Sequence, residues 1–252
     1  MVSFLVGCTS KSTDKVSSTL KFEKGFMQTL VFGTNTKANK MGFFEDKNEV
    51  QFRLDEIKSD SSFVFTGKVK RMQYKADLFG EKENVDTEVV KALNNTKKMS
   101  DTELEMYNDI KQYLDQEFTF TLDKYGNLIK SATFKDASLF IDTAIVEQYT
   151  TVPTMSFPKE DLAVGVTWSY DTTNPLIASQ KIKFTYTVND ITKDKIFIDV
   201  TMDIDGFGGM LKKNKAEGTY EIDRKTKRFI KGKRTMNMQT GGGKAIYSIY
   251  EQ

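Results

Sequence analysis

No histidine occurs anywhere in this 252-residue chain. Histidine is the usual general base at neutral pH and the commonest metal ligand. Its absence excludes histidine triads, imidazole-bound zinc and haem held through imidazole. There is one cysteine, Cys8, so no intramolecular disulfide can form and the fold must rest on a core. No apolar run approaches the roughly 18 residues that a membrane-spanning helix needs. Charge is nearly balanced, with Lys+Arg 37 against Asp+Glu 35. That excess is too small for the extended positive field of a nucleic-acid binder, so no nucleic-acid partner is expected. No motif implies a cofactor.

What the chain does have is alternation. Val50, Phe52 and Leu54 alternate, a polar turn follows at Lys58 to Ser62, and Phe63, Phe65, Val69 and Met72 return as the second arm of a hairpin. Phe118, Phe120 and Leu122 repeat the pattern, with a turn at Lys124 to Asn127. Gly25 opens a first strand through Phe26 and Thr29 to Phe32. Two stretches change to helical spacing. Ser100 and Glu103 form a capping box ahead of Leu104, Tyr107, Ile110 and Leu114, and a second helix is expected within 136–150, limited by Pro153. The charged EKENVDTE segment between hairpin and helix reads as a loop.

From Pro158 the same order of events returns. Gly165 makes a turn and feeds a strand carrying the single tryptophan, Trp168. Tyr186, Val188, Asp190, Ile191 and Asp194 match Phe52, Leu54, Glu56, Ile57 and Asp60 at one constant offset. Tyr220, Ile222 and Asp223 likewise match Phe120, Leu122 and Asp123. A constant offset across several residues implies an internal duplication rather than chance period-two patterning. The chain is therefore expected to be mainly β, with two related antiparallel halves forming a curved sheet, sandwich or open half-barrel and two helices inserted in the first half. The halves are 20–157 and 158–252 of one β-rich domain.

The start is different. Leu5-Val6-Gly7-Cys8 resembles the lipobox of bacterial lipoproteins, in which the cysteine is lipidated and becomes the mature N-terminus. The apolar segment before it is short and lacks basic residues, as in a shortened signal peptide. Residues 9–19 are rich in Ser, Thr and Lys and read as a flexible tether, so 1–19 form a signal-peptide remnant, lipobox and tether. Together with Pro158, Val164, Gly165 and Trp168, and with the pattern Val188, Ile191 and Asp194, this layout resembles a family of uncharacterised bacterial lipoproteins. The resemblance spans nearly the whole chain and brings no catalytic residues. Gln28 departs from it, standing where an aromatic would match Trp168. A looser similarity is to the half-barrel of lipoprotein carriers, a curved sheet wrapped around helices.

Motifs with chemistry are weak. Asp203 and Asp205 before Gly206 resemble the start of a calcium loop, but Asn214 stands where a bidentate acid is required, and a glycine-rich loop explains the stretch better. Gly241 to Lys244 resembles a phosphate loop without the upstream glycine, and Ala245 replaces the magnesium-binding hydroxyl. Basic residues at Lys68, Lys70, Arg71 and from Arg224 to Lys233 alternate with apolar ones and are expected on a solvated face, where anionic headgroups could also meet them. The functional expectation is a lipid-anchored, extracytoplasmic, non-enzymatic binding or interaction module. It would sit in the bacterial envelope, attached to a membrane through Cys8, and take an apolar ligand or an envelope protein. A carrier for lipids or lipoproteins is the rival reading and requires an apolar groove. A carboxylate hydrolase of envelope glycans would require two buried acids facing each other.

Overall fold

The computed structural model describes residues 14–38, 42–93, 96, 99–136, 143–150, 155–174, 177–205, 214–238 and 243–252. The first half carries β1 (Met27–Ala38), β2 (Gly42–Ile57), β3 (Phe63–Leu78), β4 (Glu81–Asp86), α1 (Thr87–Leu93), α2 (Asp101–Lys111), β5 (Glu117–Leu122), β6 (Leu128–Phe134) and α3 (Ala144–Thr150). The second half carries β7 (Thr167–Asn174), β8 (Ile177–Ile191), β9 (Lys195–Ile204), β10 (Asn214–Asp223), β11 (Phe229–Met238) and β12 (Gly243–Glu251). All twelve strands belong to one antiparallel sheet in the order β6-β5-β3-β2-β1-β12-β11-β10-β9-β8-β7, with β4 beside the far part of β3. The sheet is curved, and its edges β6 and β7 do not pair, so it stays open.

The duplication is written in the backbone. Gly25 N–H donates to Leu54 O, and Leu54 N–H donates to Phe26 O; Gly165, Val188 and Val166 make the same two bonds. Both hairpins carry a register shift at the matching place, between Leu54 and Glu56 in β2 and between Val188 and Asp190 in β8. Asp123 and Asp223 each accept turn N–H groups with one carboxylate oxygen, from Tyr125 and Asn127 in one case and Thr226 in the other. The two halves lie head to tail. β12 belongs to neither copy and joins them by pairing with β1 on one side and β11 on the other.

Between β6 and β7 the chain crosses the concave side, placing Tyr149, Met155, Phe157 and Leu162 among Phe52, Phe65, Phe120, Tyr186, Ile198 and Tyr220 in one core. Each fully buried aromatic there contributes on the order of 2–3 kcal/mol as an upper estimate. Glycines let rings lie flat on the sheet: a Cβ at Gly67 would sit 2.2 Å from the Phe118 ring, and one at Gly232 would sit 2.3 Å from Tyr220.

Four expectations change. The charged segment 81–88 is not a loop but β4 running into α1, because the strand needs only Val85 on its inner side and that residue is fully buried. The helices number three among the described residues. The capping box of α2 is present, with Ser100 accepting from Glu103 N–H, yet none of its residues is buried. α2 packs on β4 at the periphery, since the concave side is already filled. The expected second helix is represented by α3, and 137–142 lie outside the described residues. The expected tether is shorter than composition suggested. Asp14 pairs with Arg224, Val16 bridges to Leu162, and Ser18 is buried, so the body begins by residue 14. Cys8 lies outside the described residues.

Candidate functional site: a cleft on the concave face

Residues directly opposite each other on neighbouring strands project to the same face. One row of such partners crosses the middle of the sheet: Asp46, Thr34, Tyr247, Arg234, Gly218 and Val200, on β2, β1, β12, β11, β10 and β9. On the turn side of this row the interior is solid with core side chains. On the other side it opens into a cleft of about 660 Å³. Phe32 and Ile249, Ile182, Ile204 and Asn214, and Glu147, Gln148 and Tyr149 of α3 line it. A second small core cluster, Met202, Ala216, Met236 and Ala245, is buried on β9 to β12, and its two methionines reach the cleft.

Three polar groups inside stand out. The Arg234 guanidinium lies 5.4 Å from the Phe184 ring, 5.5 Å from Tyr247 and 5.9 Å from Tyr220. Its Nη1 donates to Met202 Sδ at 2.9 Å. The other four arginines pair with carboxylates, Arg53 with Asp55, Arg71 with Asp86, Arg224 with Asp14 and Arg228 with Glu251. Among the described residues Arg234 has none. Asp46 is half-buried, and burial pushes its carboxyl up to about 6 against the opposing hydrogen bond from Thr34. Asn48 Nδ2 also donates to it, at 3.3 Å. Tyr149 packs against Phe32 with ring centres 5.0 Å apart and the planes tilted by 53°; its buried hydroxyl has no hydrogen-bond partner among the described residues, and burial raises its pKa. Buried polar groups are normally satisfied, so an orphan hydroxyl beside a cleft is a place for a ligand or water.

Cation and acid thus stand three strand spacings or about 14 Å apart along the row. Asp46 and Glu147 are the two acids of the lining. The carboxylate that acts on Asp46 is its neighbour Glu45, not Glu147. Among the described residues no group of three Cys, Asp or Glu side chains is arranged to hold a metal ion.

The landmarks expected from the sequence sit elsewhere. Gly25 and Gly165 have φ of 83° and 90° and open the first strand of each half. Trp168 donates its Nε1 to Ser156 O at 2.7 Å and packs on Phe157 and Tyr186, so it belongs to the core beneath the cleft. Asp203 lies in β9 opposite Lys183 and Lys215, while 206–213 and 241–242 are outside the described residues. Lys227 departs from the expected solvated face: it is buried at φ 67°, with Nζ donating to Arg224 O. It belongs to a hollow of about 450 Å³ at the opposite, turn end of the sheet, where Lys21, Lys193, Arg224 and Lys225 outnumber the acids Asp194 and Asp223. Arg234, Asp46 and Tyr149 were missed by sequence reasoning. The signal for the first two was parity: Arg234 shares the inward side with Gly232 and Met236, and Asp46 with Val50 and Phe52. No family model and no curated protein matches the chain.

Proposed function

We propose that this chain is a non-catalytic binding module of the bacterial cell envelope, held at a membrane through a lipid on Cys8, whose cleft takes the apolar part of an amphipathic ligand. The cleft carries this reading: beside its aromatic core the concave side stays open, lined by the half-buried Phe32, Ile182 and Ile204 together with polar side chains such as Thr34, Asn48, Gln180 and Asn214. Water gains little from such walls, whereas a hydrocarbon chain removes them from solvent at about 25 cal/mol per Å². The basic hollow supports an orientation in which the turn end faces anionic headgroups and the cleft faces away. A carrier would use the same cleft and hand its cargo on.

The test is binding of the neutral probe N-phenyl-1-naphthylamine to the soluble body. Its fluorescence should rise with wild type and stay flat with Met236→Trp, which places an indole over the small Ala216 and Ala245 and fills the cleft. An unchanged response in that variant would remove the cleft from the account. Membrane partitioning of the full chain should be lost in Cys8→Ser; retention there would refute the anchor.

A further inference from the structure

We infer that Arg234 is the head-group anchor of the cleft and selects a ligand ending in a carboxylate; this rests on the reading of the cleft as an amphiphile site. The argument begins with the space around the side chain. Arg234 stands opposite Gly218, which offers no side chain, and next to the row that holds Ala216. The guanidinium therefore reaches across β10 as far as Met202 on β9. A guanidinium carries five N–H donors. Here one of them meets a thioether, a weak acceptor, and among the described residues no carboxylate comes within ion-pair distance. Holding a half-buried cation without a counter-ion is costly, and the three surrounding rings offset only part of that cost, about 0.5–2 kcal/mol per contact.

The donors left over suit one kind of partner. A planar fork of N–H groups binds a carboxylate with two parallel hydrogen bonds, stronger than neutral ones in a site poor in water. The wall next to the fork is apolar, formed by Ile182, Met202, Ile204 and Met236, so the group attached to the carboxylate is hydrocarbon. On the other side of Arg234 the row ends at Asp46, whose carboxylate would repel the head, so the chain runs the opposite way, toward β9 and β8. The ligand class is thus an amphiphilic acid, its head at Arg234 and its chain along the wall.

The experiment compares dodecanoate with dodecan-1-ol as competitors of N-phenyl-1-naphthylamine at neutral pH and low ionic strength. With wild type the acid should compete about tenfold better than the alcohol, the margin expected of a charge-assisted pair. Arg234→Met should bring the acid down to the level of the alcohol, and Arg234→Lys should keep part of the preference. Equal competition by acid and alcohol in wild type overturns the anchor while leaving the cleft standing, and it needs no variant to fold. A preference that survives in Arg234→Met overturns it too. If neither compound displaces the probe, the amphiphile cleft falls, and the anchor with it.

Discussion

Gln28 and Trp168 hold the same position in the two halves of the sheet, and each commits a side-chain N–H to a backbone carbonyl. Gln28 stands opposite Phe52 and Trp168 opposite Tyr186. Gln28 donates Nε2 to Phe229 O, and Trp168 donates Nε1 to Ser156 O. Identical backbone positions thus perform different duties. The tryptophan fastens the crossing segment onto the second half, whereas the buried glutamine fastens β1 to the start of β11, adding a side-chain link beside β12 between the halves.

Gln28→Leu should therefore cost more than its small change of volume suggests. The Phe229 carbonyl would be left buried without its side-chain donor, a penalty of about 1–3 kcal/mol. Chemical denaturation should show a lower midpoint with an unchanged slope. An equally stable variant would show that the glutamine is not a fastener.

Two glycines separate conformational strain from steric conflict. Gly25 has φ 83° and nothing within 4 Å of an added Cβ, so Gly25→Ala should cost only the strain, about 1 kcal/mol. A Cβ at Gly67 would sit 2.2 Å from the fully buried Phe118 ring, so Gly67→Ala must move that ring and should cost about 2–3 kcal/mol. Thermal melts of the pair should rank them in that order.

Asp46 gives a signed pH dependence. Its folded value, pushed up to about 6 by burial, exceeds the ordinary 3.8. The folded state therefore holds the proton more tightly. Stability linked to this group is fully present below about 3.8 and is lost as pH rises through about 6. At most about 3 kcal/mol is involved. Asp46→Asn should be more stable than wild type at pH 8, with the gap closing below pH 5. A gap independent of pH would place the carboxylate in water.

Asp115 has the opposite sign. Burial pushes its carboxyl up, but the ammonium groups of Lys91 and Lys70 more than reverse this and hold it at about 2. Its contribution is present above the ordinary 3.8 and is lost as pH falls through about 2. The side chain is 38% exposed, so the pairs are screened and worth less than about 1 kcal/mol. Asp115→Ala should leave the global midpoint nearly unchanged and speed amide exchange in α1, which Lys91 ties to β3. Exchange as slow as in wild type would show that α1 does not depend on the bridge.

Much of the architecture was legible because alternation is local. Phe52, Leu54, Tyr186 and Val188 announce inward-facing strands wherever they end up, and the constant offset between them announces two copies. β4 was not legible, because EKENVDTE has one buried apolar residue, Val85, and the rest of its character is set by what lies beside it. The burial of Ser18 and the pairing of Val16 with Leu162 were hidden for the same reason: their partner is some 146 residues away.

By itself the sequence determined a histidine-free, disulfide-free body of paired β units, since composition and period are properties of short stretches. Only the tertiary structure decided that β12 would join the copies, that the crossing segment would fill half of the concave side, and that the other half would remain a cleft. It also decided that Arg234 and Asp46, which the sequence offers as two charges among many, would stand in one row. Register across four strands puts them there, and register is fixed by bulges and long-range pairing that no local window contains.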